Sequence, residues 1–268
     1  MKSIVSLEGV SKAFGGLKAV DDVTCSLSEG IVTALIGPNG AGKSTLINLI
    51  TGVFLPTAGL VKLGGVDISK LPMHARSRMG IARTYQTPQM IHGLSSIENV
   101  MAGAYRFGSH GLLKTIFAPW MVAKENSEIA DRAAIALRTS GVPEQWWDRR
   151  ATELPYGIQR RVEIARALAQ EPKIILLDEP AAGLNPAETA DIGRLLKQIA
   201  RGGISVLLVE HDMPLVMSTA DYVVVLNFGR TLAMGSPTEI AANPTVIAAY
   251  LGADDEDEAE AEAEECVA

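Results

Sequence analysis

Nine consecutive residues, Gly37-Pro38-Asn39-Gly40-Ala41-Gly42-Lys43-Ser44-Thr45, fit the pattern G-x-x-x-x-G-K-[ST] in full. Glycines at these positions let backbone N–H groups turn toward a polyphosphate, where a side chain would obstruct its approach. Lys43 supplies a cation for the β- and γ-phosphates, and the Ser44 hydroxyl a ligand for Mg²⁺. The setting agrees with the motif. The apolar run Ile31 to Ile36 enters the loop as a strand, and Thr45 to Thr51 leaves it as an apolar helix that Gly52 can end. A helix N-terminus adds positive potential at the same place. Kinases, GTPases and many ATPases share such a loop, so the loop alone leaves the reaction open.

A second group of reactive side chains follows an apolar run. In Ile174-Ile175-Leu176-Leu177-Asp178-Glu179-Pro180, four apolar residues end in two carboxylates. Pro180 cannot continue a strand ladder, so both acids are expected at the strand's carboxyl end, where open α/β sheets bind ligands. Asp178 would hold Mg²⁺ through water, and Glu179 would accept a proton from an attacking water. Paired acids at a strand end also occur as a simple exposed terminus or as a cap for the next helix. Beside a complete phosphate loop, the metal-and-base reading is the stronger one.

The elements that must position these groups can be read from apolar periodicity. Ile31 to Ile36, Ile174 to Leu177, Ile204 to Val209 and Tyr222 to Asn227 are short and continuously apolar, as suits parallel strands covered on both faces. Ile4 to Val10 and Val23 to Leu27 alternate more and predict a small antiparallel sheet. From about Thr87 to Ala151 strand patterns vanish and helix-friendly stretches such as Ala123 to Ser140 replace them, which predicts a mostly helical insertion. The predicted fold is α/β, with a mostly parallel core sheet, an N-terminal antiparallel β subdomain and a helical subdomain over about 87–165. No repeat of solenoid length is visible. Trp146-Trp147 and the run Leu112 to Met121 are expected to pack inside the insertion rather than against a partner.

Composition narrows the classes further. The net charge of −7 is concentrated at one end, because Asp254 to Glu265 holds nine acids and no base. The rest carries 22 acids against 24 bases, or +2, which gives no nucleic-acid footprint. The acidic run is expected to be a solvated, disordered tail over 253–268, after a single domain over 1–252. Cys25 and Cys266 have no metal-ligand spacing, which favours a reducing cytosol. No apolar run approaches the roughly 18 to 20 residues that cross a bilayer. Met1 to Val10 lacks the features of a secretory signal, so work at a membrane would require docking onto something embedded there.

Leu154-Pro155-Tyr156-Gly157-Ile158-Gln159-Arg160-Arg161 precedes the acidic strand and resembles the L-S-G-G-Q-Q-R signature of ABC-type ATPases. Ile158, Val162, Ala165 and Ala169 fall on one face, so Gly157 is expected to open an amphipathic helix. Other residues resemble that family's elements in order. Phe14 resembles the aromatic that stacks on adenine, with Val20 packing nearby, and Gln86 the glutamine that senses the γ-phosphate and Mg²⁺. Ala182-Gly183-Leu184-Asn185-Pro186 resembles the D-loop, and His211 the switch histidine.

The resemblance covers roughly Ile4 to Gly252 and is closest to ATPase subunits of branched-chain amino-acid importers. Tyr156-Gly157, Arg160 to Arg166, Pro180 to Pro186, Glu210 to Met213, and Asn243-Pro244 through Ala249-Tyr250-Leu251-Gly252 carry this likeness. It implies ATP and Mg²⁺, with Ser44, Gln86 and Asp178 around the metal and Glu179, His211 and Gln86 in catalysis. Tyr156, Gly157, Ile158 and Gln159 would cover a partner's ATP. It further implies a second ATPase subunit as a heterodimer, two membrane-spanning permease subunits, an external solute-binding protein, no nucleic acid, and a place on the inner face of the cell membrane. Three positions depart from the pattern: Pro155 replaces a serine, Tyr156 a glycine and Ile158 a glutamine. A lipid-exporter ATPase and a soluble ABC protein of translation or DNA maintenance are the alternatives. The latter usually carries two cassettes or a long coiled-coil insertion, neither of which is present.

Overall fold

A computed structural model describes residues 2–105 and 119–250. Two strands, β1 (Ser3–Phe14) and β2 (Leu17–Ser28), form an antiparallel hairpin around Gly15-Gly16. With β4 (Ala58–Leu63) and β5 (Val66–Asp67) they make a four-stranded sheet in the order β2-β1-β4-β5. Both hairpin strands run further than their apolar alternation suggested. Register shifts near Val10 let the ladder continue while Val10 and Val20 stay fully buried.

The core sheet contains β3 (Val32–Ile36), β6 (Ile81–Arg83), β7 (Ile174–Asp178), β8 (Ser205–Val209), β9 (Tyr222–Asn227) and β10 (Arg230–Gly235). Its order is β10-β9-β3-β8-β7-β6, parallel except for the antiparallel β9–β10 pair. The four apolar runs read as strands are all present. The three-residue β6 carries too short a pattern to stand out in sequence.

All five residues of β3, of β7 and of β8 are buried. Their alternate residues face different packing layers. Ile174 and Leu176 pack with helix α1 (Lys43–Thr51) and the antiparallel sheet, while Ile175 and Leu177 pack with the helices on the other side. Those helices include α3 (Ser96–Ala104), α4 (Pro119–Thr139) and α5 (Tyr156–Leu168), which lie in sequence between β6 and β7 and form the helical subdomain. Trp146 and Trp147 pack against this layer, and the indole N–H of Trp147 donates to the Val142 carbonyl at 3.0 Å. A third cluster sets Ile36 and Val225 against helix α7 (Met213–Thr219), helix α8 (Pro237–Ala241), Val246 and Tyr250. Helix α6 (Pro186–Arg201) is capped by Asn185 in a reciprocal capping box with Glu188.

The acidic run Asp254 to Glu265, Cys266, Leu251-Gly252 and most of Leu112 to Met121 lie outside the described residues. Among the described residues, no helix is long and apolar enough to cross a membrane.

Arginine side chains lie inside this fold, and Arg76 is one of them. Arg76 on helix α2 (Met73–Met79) has no exposed surface, and its guanidinium donates to the carbonyls of Leu49, Ile50, Ser69 and Leu71. Leu49 and Ile50 lie in the last turn of α1, whose carbonyls lack intrahelical partners and favour a cation. Arg76 therefore ties α2 to the back of the helix that carries the phosphate loop. Replacing Arg76 by Met should cost on the order of 3 kcal/mol, because charged donors are withdrawn from buried carbonyls. Urea unfolding measures this; a loss below about 0.5 kcal/mol would refute it.

Candidate active site

The loop Gly37–Thr45 joins the end of β3 to the start of α1. Two of its glycines are forced by contact. At Gly37 a β-carbon would lie 2.1 Å from the Leu226 carbonyl oxygen, and at Gly42 one would lie 2.5 Å from that of Ala19. The loop is thus wedged between β2 and the β9–β10 turn, to which the Ala41 carbonyl is also bonded through the Gly229 amide at 3.0 Å. Asn39 and Gly40 are exposed at its tip. Gly42 has φ 97 and caps α1 without a side chain, so no side-chain acceptor occupies the first-turn N–H groups.

Lys43 folds over the loop, and its Nζ donates to the Gly37 and Pro38 carbonyls at 2.6 and 2.8 Å. Burial holds this ammonium below the ordinary lysine value, while Glu179 and Asp178 pull the other way. A half-buried cation held by carbonyls, beside uncapped helix amides, makes a donor set suited to a polyphosphate.

The acids lie where the strand pattern placed them. Asp178 is the last residue of β7, and Glu179 follows it in the left-handed region at φ 47. A β-carbon makes that conformation costly, by about 1–3 kcal/mol. The Glu179 amide is anchored to the Val209 carbonyl at 2.9 Å. Its carboxylate then meets two other segments: Gln86 Nε2 donates to Oε2 at 2.8 Å, and His211 Nδ1 lies 3.7 Å from Oε1. Gln86 and His211 are exposed, whereas the Glu179 side chain is 23% exposed. Two residues far apart in sequence thus converge on one carboxylate. Ser44, exposed in the first turn of α1, Asp178 and Gln86 each carry a hard oxygen donor of the kind that could hold Mg²⁺ with phosphate.

The remaining predicted positions are arranged differently. Phe14 sits edge-on to Phe54 with ring centroids 5.2 Å apart, and the Lys12 ammonium lies over its face. Val20 is fully enclosed in the core beside Gly229. Helix α5 starts one residue before the expected Gly157, at Tyr156, with Pro155 as its N-cap. Tyr156 packs on Gly183, and a β-carbon at Gly157 would lie 2.8 Å from Glu188 Oε1. Ile158 packs on the helical-layer core, and the Gln159 amide donates to the Leu154 carbonyl at 2.8 Å. These partners lie outside the phosphate loop, so the signature residues stand apart from the chain's own loop.

Sequence reasoning missed a buried network behind Glu179. Arg160, 1% exposed, donates to the carbonyls of Tyr85, Gln86 and Glu179. Glu163 accepts from Arg160 and from the Tyr85 amide, and burial pushes its carboxyl up against the pull of those partners. The signal that could have revealed it is the Arg160-Glu163-Arg166 spacing, which stacks alternating charges along one helix face.

Fold and site together define a P-loop ATPase cassette. Comparison with known proteins agrees. The family model for ABC transporters matches residues 20–182, and that for the branched-chain amino acid ATP-binding cassette transporter matches residues 230–256. A high-affinity branched-chain amino acid transport ATP-binding protein, BraF of Pseudomonas aeruginosa, is 42% identical over 94% of this chain and 98% of its own. The ADP conformation of MJ1267, an ATP-binding cassette of an ABC transporter, superposes with a TM-score of 0.82 at 34% identity, over 94% of this chain and 100% of its own. A dimeric bacterial ABC transporter cassette, MJ0796, gives 0.73 at 27% identity, over 87% of this chain and 98% of its own. The chain belongs to the ABC transporter family, among the ATP-binding proteins of its branched-chain amino-acid branch. It is an ATPase whose hydrolysis of ATP drives transport.

Glu210, beside the histidine, is 1% exposed and accepts from the Ala181 amide at 3.0 Å. Burial pushes its carboxyl above the ordinary value of 4.5, with the Ala181 amide and His211 opposing. The folded chain therefore favours the neutral acid, a contribution complete below 4.5 and lost as pH rises through the raised value. Glu210→Gln should accordingly gain stability relative to the parent between about pH 5 and about pH 8. Urea unfolding of both proteins at the two pH values checks this, and the opposite trend would refute it.

Proposed function

We propose that this chain powers the uptake of branched-chain amino acids or a related small polar solute, by binding and hydrolysing ATP between itself and a second ATPase subunit. The observation that carries the reading is the meeting of Gln86, Glu179 and His211 beside the phosphate loop, with Glu179 held at 2.8 Å from the Gln86 amide. The printed name of BraF supports the cargo class.

In this reading the amides of Gly37 to Thr45 and Lys43 cradle the β- and γ-phosphates, and Phe14 stacks on adenine with Val20 packed behind. Ser44, Asp178 and Gln86 hold Mg²⁺, which supplies charge neutralisation on the phosphate oxygens. Glu179 takes the proton of the attacking water, which the Gln86 contact helps to orient. His211 orients the γ-phosphate. Most of the rate arises from aligned water and fixed charge rather than from a covalent intermediate.

Tyr156, Gly157, Ile158 and Gln159 cover the nucleotide held by the partner, and closure of the dimer pulls on two permease subunits through the exposed surface at Gln86. The chain then works on the inner face of the cell membrane, with an external binding protein selecting the solute. Pro155 and Ile158 offer no side-chain hydrogen bond to a γ-phosphate, which favours a heterodimer with two unequal sites.

Glu179→Gln should lower turnover by about 10²- to 10⁴-fold while leaving ATP binding intact, as expected for loss of a general base. Comparing steady-state hydrolysis with nucleotide titration checks it, and near-normal turnover would remove Glu179 from this role. For the second subunit, the chain purified alone should hydrolyse ATP well below the rate of the complete transporter. Equal rates would count against unequal sites.

A further inference from the structure

Behind the two acids lies a cation that the proposed chemistry leaves unused. Arg83 ends β6, next to β7 in the sheet. Its guanidinium forks: Nη2 donates to Asp178 Oδ2 at 2.9 Å and Nη1 to Asn48 Oδ1 at 2.5 Å. The side chains of Arg83 and Asp178 are 13% and 12% exposed, so water screens the pair only weakly. The Tyr85 ring lies against the guanidinium, 5.2 Å from its central carbon. Asn48 stands one helical turn after Ser44 on α1, on the same face. One planar group thus bridges the element carrying Asp178 to the element carrying Ser44.

The geometry is selective. Arg83 Nε is buried without a hydrogen-bond partner, so the guanidinium gives up one bond to hold both oxygens. An ammonium could satisfy the charge of Asp178 but could not reproduce a fixed two-pronged fork. The pair engages one carboxylate oxygen of Asp178 and leaves Oδ1 for another partner.

We propose that Arg83 is a positioning residue for the metal-binding side of the site: it fixes the Asp178 carboxylate and, through Asn48, its spacing from Ser44. This rests on the reading that Asp178 and Ser44 face Mg²⁺. Residues that orient metal ligands typically contribute 10- to 100-fold to metal affinity.

The test titrates Mg²⁺ against binding of a fluorescent ATP analogue to the full-length chain, alongside the same binding in EDTA. Arg83→Lys should raise the half-saturating Mg²⁺ concentration by roughly 10- to 100-fold, with binding in EDTA unchanged. Asp178→Asn should raise it too, and adding Arg83→Lys to that background should produce little further shift, because the carboxylate it orients is gone. A purely structural role would instead weaken binding with and without Mg²⁺ alike. Should Arg83→Lys fail to fold, Asn48→Ala removes the second anchor, keeps the ion pair, and should shift the same quantity in the same direction.

The outcomes separate the two claims. If Asp178→Asn shifts the Mg²⁺ dependence while folded Arg83→Lys stays within about twofold of the parent, below the range for orienting residues, the role of Arg83 is overturned and the metal site stands. If Asp178→Asn leaves the Mg²⁺ dependence unchanged, the metal reading falls and the proposal with it.

Discussion

The site exists because β3 and β7 are buried on both faces, so their first chemically useful residues can appear only where each strand ends. Parallel pairing puts those ends on one edge of the sheet: β3 and β7 both pair with β8, and all three point the same way. The phosphate loop at the end of one and the acids at the end of the other are therefore neighbours by construction. The positive φ of Glu179 is the local cost of turning its carboxylate into that space, and the bond from its amide to Val209 holds the turn closed.

Around this edge, three arginines add directional bonds between elements that also pair or pack together. Arg76 links α2 to the back of α1, Arg160 links α5 to the backbones of Gln86 and Glu179, and Arg83 links β6 to β7 and α1. A guanidinium suits the task because it offers five donors in a fixed plane and stays charged when enclosed. The helical layer and the nucleotide edge are thereby connected through rigid, directional bonds.

The departures in the signature segment have physical counterparts within the chain. Tyr156 lies on Gly183, with the Arg160 guanidinium over its ring at 5.5 Å, and Ile158, half-buried, packs against the core of the helical layer. Both side chains thus make contacts within the chain while Tyr156 stays exposed and Ile158 half-buried.

Much of this could be read from residue order. The phosphate loop, the acids after β7 and the four apolar core strands rest on local patterns, where burial on both faces demands an unbroken apolar run and a tight turn demands glycine. The three-residue β6 and the extension of β1 and β2 beyond their alternating stretches were not visible, because each depends on pairing with other strands. The start of α5 at Tyr156 was not visible because its N-cap, Pro155, makes no side-chain capping bond that would mark it. Gln86, His211 and Phe14 could be picked out only by likeness to a family, since a lone polar or aromatic residue carries no local signal. Folding alone brought Gln86 and His211 to Glu179, placed Arg83 between Asp178 and Asn48, and enclosed Arg160 behind them. Hydrogen bonds and ion pairs act over a few ångströms of space whatever the separation along the chain, so their partners are set by the packed arrangement of the sheet.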